Sequence, residues 1–314
     1  MPRLATVAIL LLLAAAGPPG TAGGAMRPEA APTAADSLAA LRAASFGDRV
    51  TRGLLEHDAI DEASGLAASR LNPGVLWTLN DSGDEPRLFA LDAAGRHLGV
   101  YRLLGAEARD WEDLAVGPGP LPGRQYLYVG EIGDNRARRE TKIVYRLPEP
   151  VVRPDQAPIE TWLGGVETLR FRYPDGKRDA EALMVDPLTG DLYVISKREA
   201  QSRVYVAPFP QLPDSLLTLT FAGALPFNMV TAADCSADGT EVLVKTYRRV
   251  RYWVRAPGES LAETLARRGR MVPYHGEPQG ESVAWAHDGS GYYTLSEEKD
   301  RIPAFLYFYP RSEE

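Results

Sequence analysis

A motif that returns about every fifty residues, short runs rich in Val, Tyr, Leu and Trp, and repeated Asp-Gly or Gly-Asp turns together predict an all-β fold, a β-propeller of five four-stranded blades. The motif is a small or acidic residue, a short apolar strand, a turn and a stronger strand. It opens at Ser64-Gly65-Leu66-Ala67, Glu112-Asp113-Leu114-Ala115, Glu181-Ala182-Leu183-Met184, Ala233-Asp234-Cys235-Ser236 and Glu281-Ser282-Val283-Ala284. Counted at the third position, the intervals are 48, 69, 52 and 48 residues. An insertion at Arg153 to Leu163 explains the long interval, and a sixth blade hidden there is the alternative count.

The remaining strands follow in order within each repeat. Second strands are expected at Val75–Leu79, Gln125–Val129, Asp191–Ser196, Glu241–Lys245 and Gly291–Leu295. Third strands follow at Arg87–Asp92, Lys142–Leu147, Arg203–Ala207, Arg251–Arg255 and Ala304–Tyr309, and fourth strands at Arg96–Leu103, Glu167–Tyr173, Leu216–Gly223 and Gly269–Tyr274. Ser260 to Arg268 is the one clear helix. The fifth repeat ends after three strands, so its missing outer strand is assigned to Asp48–Glu56, which closes the ring.

The N-terminus reads as an export signal over residues 1–25. Arg3 precedes an apolar run from Ala5 to Ala16, then helix-breaking Gly and Pro, then small residues. The run is shorter than the roughly 20 apolar residues of a comfortable membrane span. Residues 26–48, rich in Ala, Pro, Ser and Thr, read as a flexible linker, and residues 49–312 as the propeller. A secreted or periplasmic protein is expected, with no membrane span after cleavage.

The 314 residues carry a formal charge of −7, which disfavours a nucleic-acid partner because neutralising phosphates needs a basic face. The single Cys235 excludes an internal disulfide and a Cys-based zinc site, and it reads as a buried small hydrophobe. The four His, at 57, 97, 275 and 287, lack metal-ligand spacing, with His275 the best catalytic candidate among them. No nucleophile elbow or P-loop is present. Trp77, Trp253 and Trp285 read as core between blades; Trp111 could be core or part of a site.

Propeller geometry turns the repeat into a site. Inner strands line the central tunnel, so the residues at which they begin converge: Ser64, Glu112, Glu181, Ala233 and Glu281. Carboxylates a few Å apart repel strongly at reduced dielectric, and a hard cation relieves this; an all-oxygen shell suits Ca²⁺. The alternative is that each Glu caps its own loop or pairs with an Arg such as Arg109 or Arg178. The loops after the second strands reach the same rim and bring Asp81, Glu131, Asp134, Lys197, Arg198 and Lys245. The cations there, beside a metal, form a cradle for an anionic ligand.

At these residues the chain resembles the calcium-activated nucleotidases. The matching stretches are Glu62-Ala63-Ser64-Gly65-Leu66, Trp111 to Val116 with Tyr126 to Gly130, and Glu281-Ser282-Val283. The resemblance implies a five-bladed propeller that hydrolyses nucleoside di- and triphosphates. In it Ser64, Glu112, Glu181 and Glu281 would ligate Ca²⁺, with Asp81, Lys197, Arg198 and Lys245 near the phosphates. Ala233 departs from the pattern where a hydroxyl ligand is expected, with Thr231 or Asp234 as substitutes, and Asp134-Asn135 stand where a cation is expected. The phrase Leu76 to Gly83 and the loop Gly130 to Asn135 are also similar to exported phytase-like esterase and lactonase propellers. The expected function is a calcium-dependent hydrolase of a small phosphate-containing or ester substrate, with Asp81, Asp134 or Glu131 positioning the attacking water. The alternative is a non-catalytic secreted module that binds a carbohydrate or protein partner and holds Ca²⁺ structurally.

Overall fold

The computed structural model describes residues 44–312, and the expected export signal and most of the expected linker lie outside the described residues. Five sheets form the five blades of a propeller. The innermost strands are Ala63–Ala68, Asp113–Pro118, Ala180–Val185, Val230–Cys235 and Gly280–Trp285. They are almost wholly buried and built from small residues, because all five converge on one axis. Crowding there is severe: a Cβ on Gly65 would lie 2.8 Å from the Leu114 backbone nitrogen of the next blade.

Each second strand is sandwiched by neighbouring blades on both faces, so it carries a continuous apolar run. Examples are Val75–Asn80 and Gly291–Ser296, in which every residue is buried. Outer strands such as Glu167–Arg172 alternate because one face meets solvent. The core is divided accordingly. Five apolar clusters lie one between each pair of adjacent blades, and the cluster joining Ala63 and Phe89 to Ala284 and Phe308 shows that the ring is closed. Trp77, Trp111, Trp253 and Trp285 all belong to these clusters.

Closure uses the N-terminal segment as expected. Val50–Leu54 pairs antiparallel with Phe305–Ser312, the last strand of blade five. Ser45–Phe46 also pairs with Ser312 and Arg311, so ordered structure starts ahead of residue 49. The helix is Leu261–Ala266, with Ser260 and Glu263 forming a reciprocal capping box, and it buries Leu261 and Leu265 against blades three and four.

Three expectations are corrected. The insertion is not a sixth blade: its Ile159–Leu163 adds a fifth, parallel strand outside His97–Leu103 of blade one. The expected strand Leu216–Gly223 is two strands. Leu216–Thr218 runs parallel to the outer strand of blade two, and Thr220–Ala224 completes blade three. The third correction is one of register. The inner strands of blades one, three and five carry a bulge just after they begin, which leaves Ser64, Glu181 and Glu281 outside the regular pairing, whereas that of blade two pairs without a break. In blade four the bulge falls at Thr231, between the pairs Val230–Thr246 and Ala232–Lys245. Thr231, not Ala233, is therefore the equivalent of the acidic positions.

Candidate metal centre

The bulges place Ser64, Glu181, Thr231 and Glu281 where the inner strands begin, Glu112 stands just ahead of the inner strand of blade two, and all five are buried. Below them the strands are tied across blades. Ser64 Oγ donates to the Glu112 carbonyl, and Ser282 Oγ donates to the Ser64 carbonyl. The wholly buried Asp113 carboxylate accepts from the backbone N–H groups of Leu114 and Leu183, and Asp234 accepts from those of Cys235 and Trp285. These bonds fix the inner ring on which the mouth residues stand.

Above this ring the loops bring further carboxylates. Donor oxygens of Asp81, Asp110 and Glu112 lie within 4.8 Å of one another, as do those of Asp81, Glu281 and Glu297, and those of Glu112, Asp179 and Glu181. Asp81 and Glu112 each belong to two of these groups and together link all three. Burial, reinforced by the Glu281 charge, pushes the Asp81 carboxyl up to about 7. Burial likewise drives Glu181 up to about 8 and Glu112 well above the carboxylate range, with neighbouring acids adding to the rise. Glu297 rises to about 8 by burial and by Glu281. Carboxyls held in this state are short of positive charge.

The protein supplies only part of that charge. Lys197 Nζ contacts Glu181 and donates to Tyr247 Oη at 2.8 Å, and Tyr247 in turn donates to Glu281 Oε1 at 2.7 Å. Burial opposes the charge on Lys197, but the Glu181 carboxylate outweighs it and keeps the ammonium above its ordinary pKa. Arg198 pairs with Asp179 and donates to Asn135. Lys245 is fully buried, donates to the Gly280 carbonyl and is pulled by burial down to about 8. The expected phosphate cradle of Lys197, Arg198 and Lys245 is thus already engaged by carboxylates and carbonyls.

Of the three carboxylates expected to position water, the structure brings only Asp81 into the acidic groups. Glu131 accepts from the backbone N–H groups of Arg109 and Asp110 and pairs with Arg139. Asp134 is bonded to Lys142 at 2.9 Å and to the N–H groups of Arg138 and Arg139, bonds that outweigh burial and lower its pKa. Both organise their loop. Arg109 and Arg178 do not neutralise the ring: they pair with Glu107, and with Asp175 and Glu199.

Glu297 lies in the acidic loop after the second strand of blade five, which the repeat places at this rim, whereas the repeat does not pick out Asp110 and Asp179. A signal for Asp110 and Asp179 exists, since each stands two residues before a ring Glu, as Glu62 does before Ser64. The buried Thr231 Oγ1 has no hydrogen-bond partner. No His or Cys joins the acidic groups among the described residues. His275 instead meets Asp48 and stacks on Tyr309, and burial raises the Cys235 thiol well above its ordinary pKa. Oxygen-only donors, raised carboxyls and an unpartnered buried hydroxyl fit a hard divalent cation. Room is made for them by Gly133, where a Cβ would fall 1.9 Å from Glu112 Oε1 and 2.8 Å from Asp110 Cγ.

No family model matches the chain, and no curated protein matches it. Among solved structures it is similar to a chain of a nidogen/laminin complex, at 12% identity and a TM-score of 0.44, covering 77% of this chain and 74% of that one. It is similar to luciferin-regenerating enzyme at 11% identity and a TM-score of 0.41, covering 80% and 91%. It is also similar to hydrazine synthase of Kuenenia stuttgartiensis at 12% identity and a TM-score of 0.41, covering 82% and 97%. None of these similarities bears on the chemistry of the tunnel mouth.

Proposed function

We propose that this chain is an exported calcium-binding β-propeller that hydrolyses a small phosphate-containing or ester substrate at its tunnel mouth. The observation that carries the reading is the excess of carboxylates there. Among the described residues, the ion pairs made by Asp81, Asp110, Glu112, Asp179, Glu181, Glu281 and Glu297 are to Lys197, Arg198 and Arg139 alone. Asp81, Glu112 and Glu281, with Ser64 beside Glu281, are the residues that would hold the cation. Calcium fits better than zinc because every donor is a hard oxygen.

A cation bound there supplies Lewis-acid polarisation of a phosphoryl or carbonyl oxygen. The chain's own residues do the rest. Tyr247 orients Glu281 through a hydrogen bond, and Lys197 pairs with Glu181 and fixes its position. Asp81, common to two acidic groups, would orient a water. Arg198, whose side chain is 43% exposed, is the cation of the three that reaches solvent at the rim.

The test is turnover of phosphate monoesters, nucleotides and carboxyl esters by chelator-stripped protein, with and without added Ca²⁺. Calcium-dependent hydrolysis that Asp81→Asn lowers at least tenfold is expected. Undiminished turnover in the chelator, or in the variant, contradicts the proposal. Calcium binding with no turnover on any of these substrates would identify a non-catalytic module with a structural cation.

A further inference from the structure

Beside the acidic mouth lies a cavity of opposite character. It has a volume of about 310 Å³ between blades three and four, and its walls include Phe227, Met229, Tyr247, Arg248, Arg249 and Arg251. No Asp or Glu lines it. Two other arginines of blades three and four are neutralised, Arg198 by Asp179 and Arg255 by Asp186. Arg248, Arg249 and Arg251 form no ion pair among the described residues.

The site is preorganised. Arg251 donates to the Gly269 carbonyl at 3.0 Å, and its guanidinium lies 4.8 Å from the centre of the Phe227 ring. Burial lowers its pKa, and the facing charges of Arg249 and Arg268 lower it further, so the cavity concentrates positive charge it does not neutralise. Met229 adopts a left-handed backbone, φ 59°, and is held there by donating to the Lys197 carbonyl at 2.8 Å. Strain of that kind in a non-glycine residue gathers at ligand sites.

We infer that this cavity binds a small organic oxyanion, a phosphate or carboxylate, with its charged end among Arg248, Arg249 and Arg251 and its apolar body against Phe227 and Met229. Guanidiniums match planar and tetrahedral oxyanions through paired N–H donors, and an aromatic wall takes a flat hydrocarbon. The volume stands at the lower end of small-molecule sites, which favours a metabolite-sized anion over a polymer. The ring of Tyr247 walls the cavity while its hydroxyl bonds Glu281, so an occupant lies one side chain from the acidic mouth. This inference does not rest on a cation being bound.

The experiment is a calorimetric titration of metal-free protein with phenyl phosphate, benzoate and inorganic phosphate. Saturable one-to-one binding of phenyl phosphate or benzoate is expected, and whichever binds more tightly assigns the anionic group. The Arg248→Ala/Arg249→Ala variant, in which both side chains are exposed, is expected to melt like wild type and to bind at least tenfold more weakly. Phe227→Ala should weaken the aromatic ligands and leave inorganic phosphate unchanged. Glu112→Gln, which removes a proposed cation ligand, should leave all three titrations unchanged, so this inference and the cation reading fail separately. No saturable binding of either aromatic anion by wild type, or equal affinity in the double arginine variant, would overturn it.

Discussion

Gly133→Ala probes the acidic mouth without substituting any of its charged groups. The added methyl would sit 1.9 Å from Glu112 Oε1 and 2.8 Å from Asp110 Cγ. Ordinary carbon–oxygen contact needs more than about 3 Å, so the Glu112 carboxylate or the loop must move by about 1 Å. Overpacking of this size costs about 1–3 kcal/mol, or several degrees of melting temperature for a domain this large. Displacing the carboxylate is expected to weaken cation binding by at least about tenfold, near 1.4 kcal/mol. Calcium at about 100 times its dissociation constant stabilises wild type by about 2.7 kcal/mol. In the variant the same concentration stands at only about ten times that constant, so about half of the stabilisation remains. Thermal melts in chelator and in calcium separate the two effects. The chelated melting point reports the packing cost, and the calcium-induced rise reports the site. An equal rise in the variant and wild type would refute the placement of Glu112 in the site.

Two further outcomes follow from buried charge. Lys197→Met leaves Glu181 buried without its partner, and loses about 3–5 kcal/mol in denaturant unfolding under chelator, most of which Lys197→Met/Glu181→Gln restores; a double variant as unstable as the single one contradicts the pairing. Burial, with His57 beside it, lowers the His97 pKa to about 4, so the unfolded chain binds a proton that the folded chain refuses between about pH 4 and 6.5. Stability therefore falls as pH drops through that window, by up to about 1.4 kcal/mol per pH unit from this group. His97→Gln should flatten the curve there, and an unchanged pH profile would show that His97 is not the source.

Much of this was legible because propeller blades repeat. The fifty-residue period located the inner strands, and convergence of repeats picked out Ser64, Glu112, Glu181, Glu281 and Asp81 before any geometry was known. Ala233 was misplaced by two residues because a strand's faces repeat every second residue, so a shift of two leaves the apolar pattern unchanged. Val230-Thr231-Ala232 and Ala233-Asp234-Cys235 are both small and apolar enough to lie beside the axis, and only the pairing of Ala232 with Lys245 decides between them. Lys197 and Arg198 were found, but their engagement with Glu181 and Asp179 depends on neighbouring loops and on charges that sequence spacing does not rank. The fifth strands at Ile159–Leu163 and Leu216–Thr218 were missed for a related reason: each joins a blade other than its chain neighbour, and periodicity within one repeat carries no trace of that partner.

The most direct measurement is a calorimetric Ca²⁺ titration of the chelator-stripped chain alongside Glu112→Gln and Glu281→Gln. The account predicts one site in wild type and its loss in each variant, with both variants still folded in chelator. No binding heat in wild type, or undiminished binding in both variants, would contradict a cation held by the carboxylates of the tunnel mouth.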